Sequence, residues 1–333
     1  MGDTVQMSAA TIRRRTFLGA AATLAMPRIA RGATEPFRFL TNWFAQAEHA
    51  GFYQAQAKGY YRAEGLDVVI DHGGPQINNI QLLLAGRYDA IIGGTGEAML
   101  CVQRNMPAVT VATTFQTSLG GILTHPDITR FSDLKGHTIL LSTEVRSTLW
   151  PWLRDHYGFD DSQVRPYGYN VQPFIIDPSL AIQGFATSEP YVLQSRKIPY
   201  NYFPFSDYTV ADYGNPLLSR RDVVTKRRDD VARFLHASMK GWADWMENDP
   251  GPGNALIRAE NPIMTDDQIA WSRGQFRKIS GFGPAGSHIG TILPDRCRAV
   301  RDFMVATHQL SGDVHWEEAF DFSFAPAMDS VFT

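Results

Sequence analysis

The stretch Lys58-Gly59-Tyr60-Tyr61-Arg62-Ala63-Glu64-Gly65-Leu66-Asp67-Val68 decides the fold class. Its first half closes a longer helical pattern. Ala50, Tyr53, Ala57 and Tyr60/Tyr61 recur at helical spacing, which predicts a helix over Ala47–Glu64. Gly65 is a helix-ending residue, and the β-branched run in Leu66–Ile70 predicts a strand straight after it. Phe37–Leu40, ahead of the helix, reads as a short apolar strand. Strand, helix and strand in that order are the unit of an α/β sheet with crossover helices.

The alternation continues outward from this point. Helices are expected at Ile77–Ala85 and Glu97–Arg104, and strands at Ala90–Ile92 and Ala108–Thr113. The pattern restarts after Gly120, with strands at Gly121–Thr124 and Thr138–Leu141 and a turn at Leu134-Lys135-Gly136. A helix at Thr148–Tyr157, a segment Leu180–Phe185 leading to a strand, and a returning strand at Ile198–Phe203 follow. The remainder is mostly helical: Arg228–Asn248, Ala255–Glu260, Thr265–Lys278 and Pro294–Gln309, with Asp249-Pro250-Gly251-Pro252-Gly253 breaking the first of these. Two α/β sections and a helical tail fit a two-lobed molecule. The expected division places residues 34–117 and 208–333 in one lobe and 118–207 in the other, with the chain crossing twice.

The N-terminus carries its own signal. Arg13-Arg14-Arg15-Thr16-Phe17-Leu18-Gly19 opens a short apolar run to Met26, and Ala30-Arg31-Gly32-Ala33 follows. A basic cluster, an apolar run and a small-residue exit are the layout of a secretory leader, and the Arg pair before Thr-Phe-Leu looks twin-arginine-like. Residues 1–33 are therefore expected to be a signal peptide, removed on export to the periplasm. Without them, 26 basic and 33 acidic residues remain, a net charge of −7. That acidity argues against nucleic acid as a partner. No stretch reaches the length needed to cross a hydrocarbon core of roughly 30 Å, so the mature chain is not expected to span a membrane. Cys101 and Cys297 are the only cysteines; they form no metal-binding spacing and nothing in the sequence requires them to pair.

In open α/β sheets ligands sit beyond the carboxyl ends of the strands. Loops at those ends hold the candidates: Asn42 and Trp43, Gly94 and Thr95, Thr114 and Gln116, then Ser142, Thr143 and Ser147. Hydroxyls, amides and free N–H groups at helix starts suit a polar ligand. Each also has a plainer role: Thr95, Ser142 and Thr143 as helix caps, Gly94 as a turn residue, and Asn42 in a turn with its own backbone. Trp43 is the sharpest candidate, as a plate for a flat ring or as a lid on the core. Tyr167, Tyr169 or Tyr191 would face it. Glu189 offers an acceptor for an amino-substituted ring or a surface charge, and His49 is a ligand donor or a buried first-turn residue. No phosphate loop, nucleophile elbow, HExxH or Cys/His cluster emerges, so no catalytic set, metal or cofactor is expected.

Asn42-Trp43-Phe44-Ala45-Gln46-Ala47-Glu48-His49-Ala50-Gly51-Phe52-Tyr53-Gln54-Ala55, the run from Lys58 to Val68, Gly73-Gly74-Pro75, Gln81-Leu82-Leu83, Asp89 and Phe131-Ser132-Asp133-Leu134-Lys135-Gly136 together resemble one family. They look like the thiamine-pyrimidine-precursor-binding branch of periplasmic solute-binding proteins, related to binders of sulfonates, taurine and nitrate. The resemblance spans roughly residues 37 to 245. It implies a type II periplasmic-binding-protein fold, two α/β lobes joined by a two-strand hinge, feeding an ABC-transporter permease. It further implies an aromatic sandwich carried by Trp43 and a tyrosine of the second lobe, such as Tyr191. His49 matches a histidine of a related fungal pyrimidine synthase, whose Cys-rich segment is missing here. The Ser188-Glu189-Pro190-Tyr191 stretch departs from the precursor binders, which leaves a flavin or another N-heterocycle open. A sulfonate or other small anion, with Arg146 as charge partner, is the alternative; a pyrimidine-synthesis enzyme is the third reading.

Overall fold

A computed structural model describes residues 2, 35–74, 76–210, 212–283 and 288–327. The expected leader, residues 1–33, lies outside the described residues apart from Gly2.

Among the described residues ten strands form two five-stranded sheets. The first holds β1 (Phe37–Leu40), β2 (Val68–Asp71), β3 (Ala90–Ile92) and β4 (Ala108–Phe115). The chain then crosses to the second sheet, made of β5 (Gly120–Thr124), β6 (Thr138–Leu141), β7 (Val164–Pro166), β8 (Leu180–Phe185) and β9 (Asn201–Pro204). It returns as β10 (Gly214–Arg220), which inserts antiparallel between β3 and β4. The orders are β2-β1-β3-β10-β4 and β7-β6-β8-β5-β9. Each sheet thus mixes parallel crossovers with antiparallel strands laid down where the chain changes sheets. The architecture is α/β with two lobes, one on each sheet.

Apolar clusters cover both faces of both sheets. One face of the first sheet packs on the helices Ala50–Ala57 and Arg228–Glu247, where Phe37, Phe39, Phe52, Phe234, Trp242 and Trp245 are buried. The opposite face packs on Thr95–Gln103 and Pro294–Ala306. That second cluster contains both cysteines, which are buried and free. Burial pushes each thiol up to about 12, so neither is a ready thiolate. Among the described residues no helix is long and apolar enough to cross a membrane.

Several elements differ from expectation for local reasons. The expected helix Ala47–Glu64 is three pieces: a 3₁₀ turn Ala47–His49, the helix Ala50–Ala57, and a short helix Tyr60–Ala63. Gly59, at φ 73°, breaks it, because the left-handed backbone ends one helix before the next begins. The helix expected at Thr148–Tyr157 runs over Trp150–Tyr157, and a separate short helix, Thr143–Thr148, precedes it. Pro151 explains the join, since it fits only the first turn of a helix. The Pro-Gly run at 249–253 does end one helix, but the next starts within it, at Gly251.

Candidate functional site

The strand ends and crossings converge on a cavity of ≈ 180 Å³ between the lobes. The first lobe supplies Asn42 after β1 and Gly93–Glu97 between β3 and its helix. The second supplies Glu144, Thr148 and Leu149 from the helices after β6, with Gln183 and Phe185 from β8. The crossings add Ser118 and Phe205 to Asn215 in part, and the tail helix adds Phe303. A smaller cavity adjoins it, sharing Asn42, Gly93, Glu97 and Glu144 and adding Trp43, Asn79, Ser142, Thr143 and Ser147.

Charge distinguishes the main cavity. Among the described residues lining it, none is a lysine, arginine or histidine, and three are carboxylates: Glu97, Glu144 and Asp212. Burial raises all three, Glu97 to about 7. Two of them also act through like charge: Glu144 raises Glu97, and Asp212 raises Glu144. Glu144 is exposed, in the first turn of the helix Thr143–Thr148. The N–H of Gly94 lowers Glu97 only weakly, through a 3.4 Å contact. Phe185, Phe205, Tyr213 and Phe303 supply aromatic walls. Among the described residues no three acidic, His or Cys side chains are placed to hold a metal ion.

The expected residues divide into two groups. Asn42, Gly94 and Thr95 line the main cavity; Trp43, Ser142, Thr143 and Ser147 line the smaller one, with Asn42 in both. Ser142 also caps the helix Thr143–Thr148, its Oγ accepting from the Val145 N–H at 3.3 Å, so the capping role and the lining role coexist.

The others lie outside both cavities. Thr114 is fully buried in β4. Gln116 donates to the Thr291 carbonyl at 2.9 Å, tying the first crossing to the tail. Glu189 is buried inside the second lobe, accepting from the Tyr167 hydroxyl at 3.0 Å and the Phe185 N–H at 2.8 Å. Tyr191 packs against Trp271 at 5.6 Å, away from Trp43. Arg146 lines a separate shallow pocket with Trp150 and Asp161. His49 is 1 % exposed, with Nε2 3.2 Å from Asn42 Oδ1, and burial lowers it to about 3. It is a neutral ring that orients Asn42 toward the cleft.

Trp43 finds its ring partner in Tyr167, at 6.1 Å between centroids and 22° between planes. That spacing belongs to a direct aromatic pair, so the stack joins the lobes to each other. Tyr169 adds a second bridge, its hydroxyl donating to Gln46 at 2.5 Å and its ring lying 5.5 Å from Trp43. A bulky residue at φ 56°, Tyr169 sits in a backbone region that such residues avoid. A third bridge runs from the Thr187 hydroxyl to Glu48. Trp43→Ala is expected to weaken cleft binding by about tenfold, since a lost stack of roughly 1.4 kcal/mol must be made up on closing. Titration calorimetry with the protein's own ligand checks this; equal affinity in a folded variant removes the role.

Sequence reasoning passed over Glu97, Glu144 and Asp212. The first two stand in loops already singled out, where attention fell on hydroxyls. Asp212 and Phe303 come from the return crossing and the tail, and carry no local signal.

Residues 46–251, more than half of the chain, match the family described as NMT1/THI5 like. The chain belongs to the NMT1/THI5-like family. Its relatives include both binders and enzymes. This NMT1/THI5-like chain is 26% identical over 246 residues to the formylaminopyrimidine-binding protein of Halalkalibacterium halodurans, covering 72% of each. It is 23% identical over 335 residues to a riboflavin-binding protein of Chloroflexus aurantiacus, covering 92% of this chain and 91% of that one. Similarity to the 4-amino-5-hydroxymethyl-2-methylpyrimidine phosphate synthase of Aspergillus parasiticus is 30% over 149 residues, covering 43% of this chain and 44% of that one. Among solved structures, a Candida albicans protein with the generic periplasmic binding protein fold superposes with a TM-score of 0.63 at 15% identity, covering 86% of this chain and 96% of that one. The fold expected from the sequence is therefore the fold observed.

Proposed function

We propose that this chain is the exported substrate-binding component of an ABC importer, which closes two lobes on a small heterocycle and presents it to a permease. One observation carries the reading: a cavity between the lobes, walled by aromatic rings and hydrogen-bonding groups from both. Binding there would favour the closed arrangement, and closure is what a permease can sense. The lobes would divide at 34–117 with 208–333 and at 118–207, the two crossings acting as the hinge. The leader-like pattern from Arg13 to Ala33 supports export to the periplasm.

The lining speaks against a sulfonate. An anion would meet three carboxylates and no lining cation, and Arg146, the candidate partner, is turned to another pocket. Relatives named as binding proteins match across 72% and 92% of this chain, against 43% for the synthase, which supports capture over turnover.

Native mass spectrometry of the purified protein, followed by thermal melts with pyrimidines, flavins and sulfonates, tests the proposal. A heterocycle at 100 times its Kd is expected to stabilise the fold by about 2.7 kcal/mol. Stabilisation by sulfonates alone would replace this reading with the anion one.

A further inference from the structure

We infer that the ligand is held as a cation: a positively charged heteroaromatic ring seated between Glu97 of one lobe and Glu144 of the other. This rests on the heterocycle reading above and narrows it.

Both glutamates reach the Gly93-Gly94 backbone, Glu97 from the helix that follows it and Glu144 from the second lobe. A Cβ built at Gly94 would lie 3.7 Å from Glu144 Oε1 and 3.6 Å from Glu97 Cβ. A Cβ at Gly93 would meet Glu97 Oε2 at 2.9 Å. The bare backbone of Gly93-Gly94 thus leaves room for two acidic side chains from opposite lobes. Neither Glu97 nor Glu144 forms an ion pair among the described residues. Asp212 stands on the same cavity from the return crossing. Arg296 offsets it in part, stacking 4.2 Å over the Tyr213 ring and donating to the Asp212 carbonyl at 3.1 Å. The described lining of the cavity therefore presents three carboxyls and no cation of its own.

A second observation points to an occupant. Thr95 lines the cavity at 1 % exposure, and its Oγ1 makes no hydrogen bond of bonding geometry, although it lies close enough to Asp212 to draw that carboxyl down. Buried hydroxyls are normally paired. Among the described residues no three acidic, His or Cys side chains are placed to hold a metal ion. Four aromatic walls favour an organic cation, which gains from ring faces as well as from carboxylates.

The charge would also drive closure. Beneath the larger effect of burial, Glu144 raises the proton affinity of Glu97, and Asp212 that of Glu144, so like charges face one another where the lobes meet. A cation between them removes that repulsion; a neutral ring leaves it, or must bind with a carboxyl protonated. Only the cation has a large differential affinity for the closed form, and that difference is what shifts a conformational equilibrium.

Calorimetry with two probes of one shape tests this: neutral 4-aminopyrimidine and the fixed cation 4-amino-1-methylpyrimidinium, both at pH 8. The cation is expected to bind at least about tenfold tighter. Its affinity should fall as pH drops from 8 to 6, because Glu97 takes up a proton at about 7 and competes. Glu144→Gln, and separately Glu97→Gln, should shrink the preference to under about threefold while the neutral probe still binds; thermal melts confirm that each variant is folded. Equal or tighter binding of the neutral probe to the unaltered protein overturns the charge inference and leaves the heterocycle reading standing. Absence of binding by either probe counts against both.

Discussion

Gly241→Leu is expected to cost more than about 4 kcal/mol of stability, or to prevent folding outright. The reason is a close crossing of two helices. Gly241 lies in Arg228–Glu247, and a Cβ there would stand 2.1 Å from the Gly51 carbonyl and 2.7 Å from Ala55 Cβ. On the facing helix, a Cβ at Gly51 would strike the Trp242 ring at 2.1 Å. Two glycines and an alanine thus let backbones approach while Trp242 and Trp245 fill the space beside them, both fully buried. No rotamer of leucine relieves a clash with a backbone carbonyl, so the helices must separate. Separation would open the cluster of Phe39, Phe52, Phe115 and Phe234 that anchors the first sheet. Gly274 provides the contrast. It also lies in a helix, Asp266–Lys278, but an added Cβ meets nothing within 4 Å. Gly274→Ala should stabilise by up to about 1 kcal/mol through helix propensity alone. Thermal melts of both variants are the check; similar small effects from both would show that the helices can move apart freely.

The same sequence run around Gly51 made the fold class legible. Helical spacing and a stop at Gly65 can be read locally; the stop survives in the structure, while Gly59 divides the helical run. The return strand could not be read. β10 contains Pro216, and proline argues against a central strand because it cannot donate to the ladder. Here it is tolerated beside an irregular register at Leu217/Leu218, with its carbonyl accepting from the Gly93 N–H at 3.0 Å. The cavity was half legible. Asn42, Gly94 and Thr95 follow strands directly, so position alone placed them. Tyr191 and Glu189 sit at an equivalent strand end, yet the helix Glu189–Ser195 turns Tyr191 toward Trp271 and folds the carboxylate back onto β8. Which way a side chain leaves a strand end depends on the next helix, and sequence spacing does not encode that.

Glu48→Gln is expected to make the protein more stable at pH 8, by up to about 3 kcal/mol. Glu48 is 2 % exposed, one oxygen accepting from Thr187 of the other lobe and the second oxygen unpaired. Burial, with a smaller push from Glu189, raises its carboxyl from 4.5 to about 7. The folded state therefore holds this proton more tightly than the unfolded chain does. Below pH 4.5 the group is protonated in both states and costs nothing. Between 4.5 and 7 the unfolded chain releases the proton first, so stability falls as pH rises; above 7 the full loss is present. Glutamine keeps an acceptor for Thr187 and carries no charge, so it should abolish that loss. Melts of the parent and variant at pH 5, 6, 7 and 8 should show a gap that is smallest at pH 5, about a quarter of its full size, and widens upward. Glu97, Glu144, Asp212 and Glu189 titrate in both proteins, and the difference between the two curves isolates Glu48. A flat difference, or a less stable variant at pH 8, would mean that Glu48 is solvated or paired in solution. The sign matters for the cleft as well: Thr187 and Glu48 meet only when the lobes do, so an ionised Glu48 favours parting them, and the substitution should shift the resting protein toward the closed arrangement.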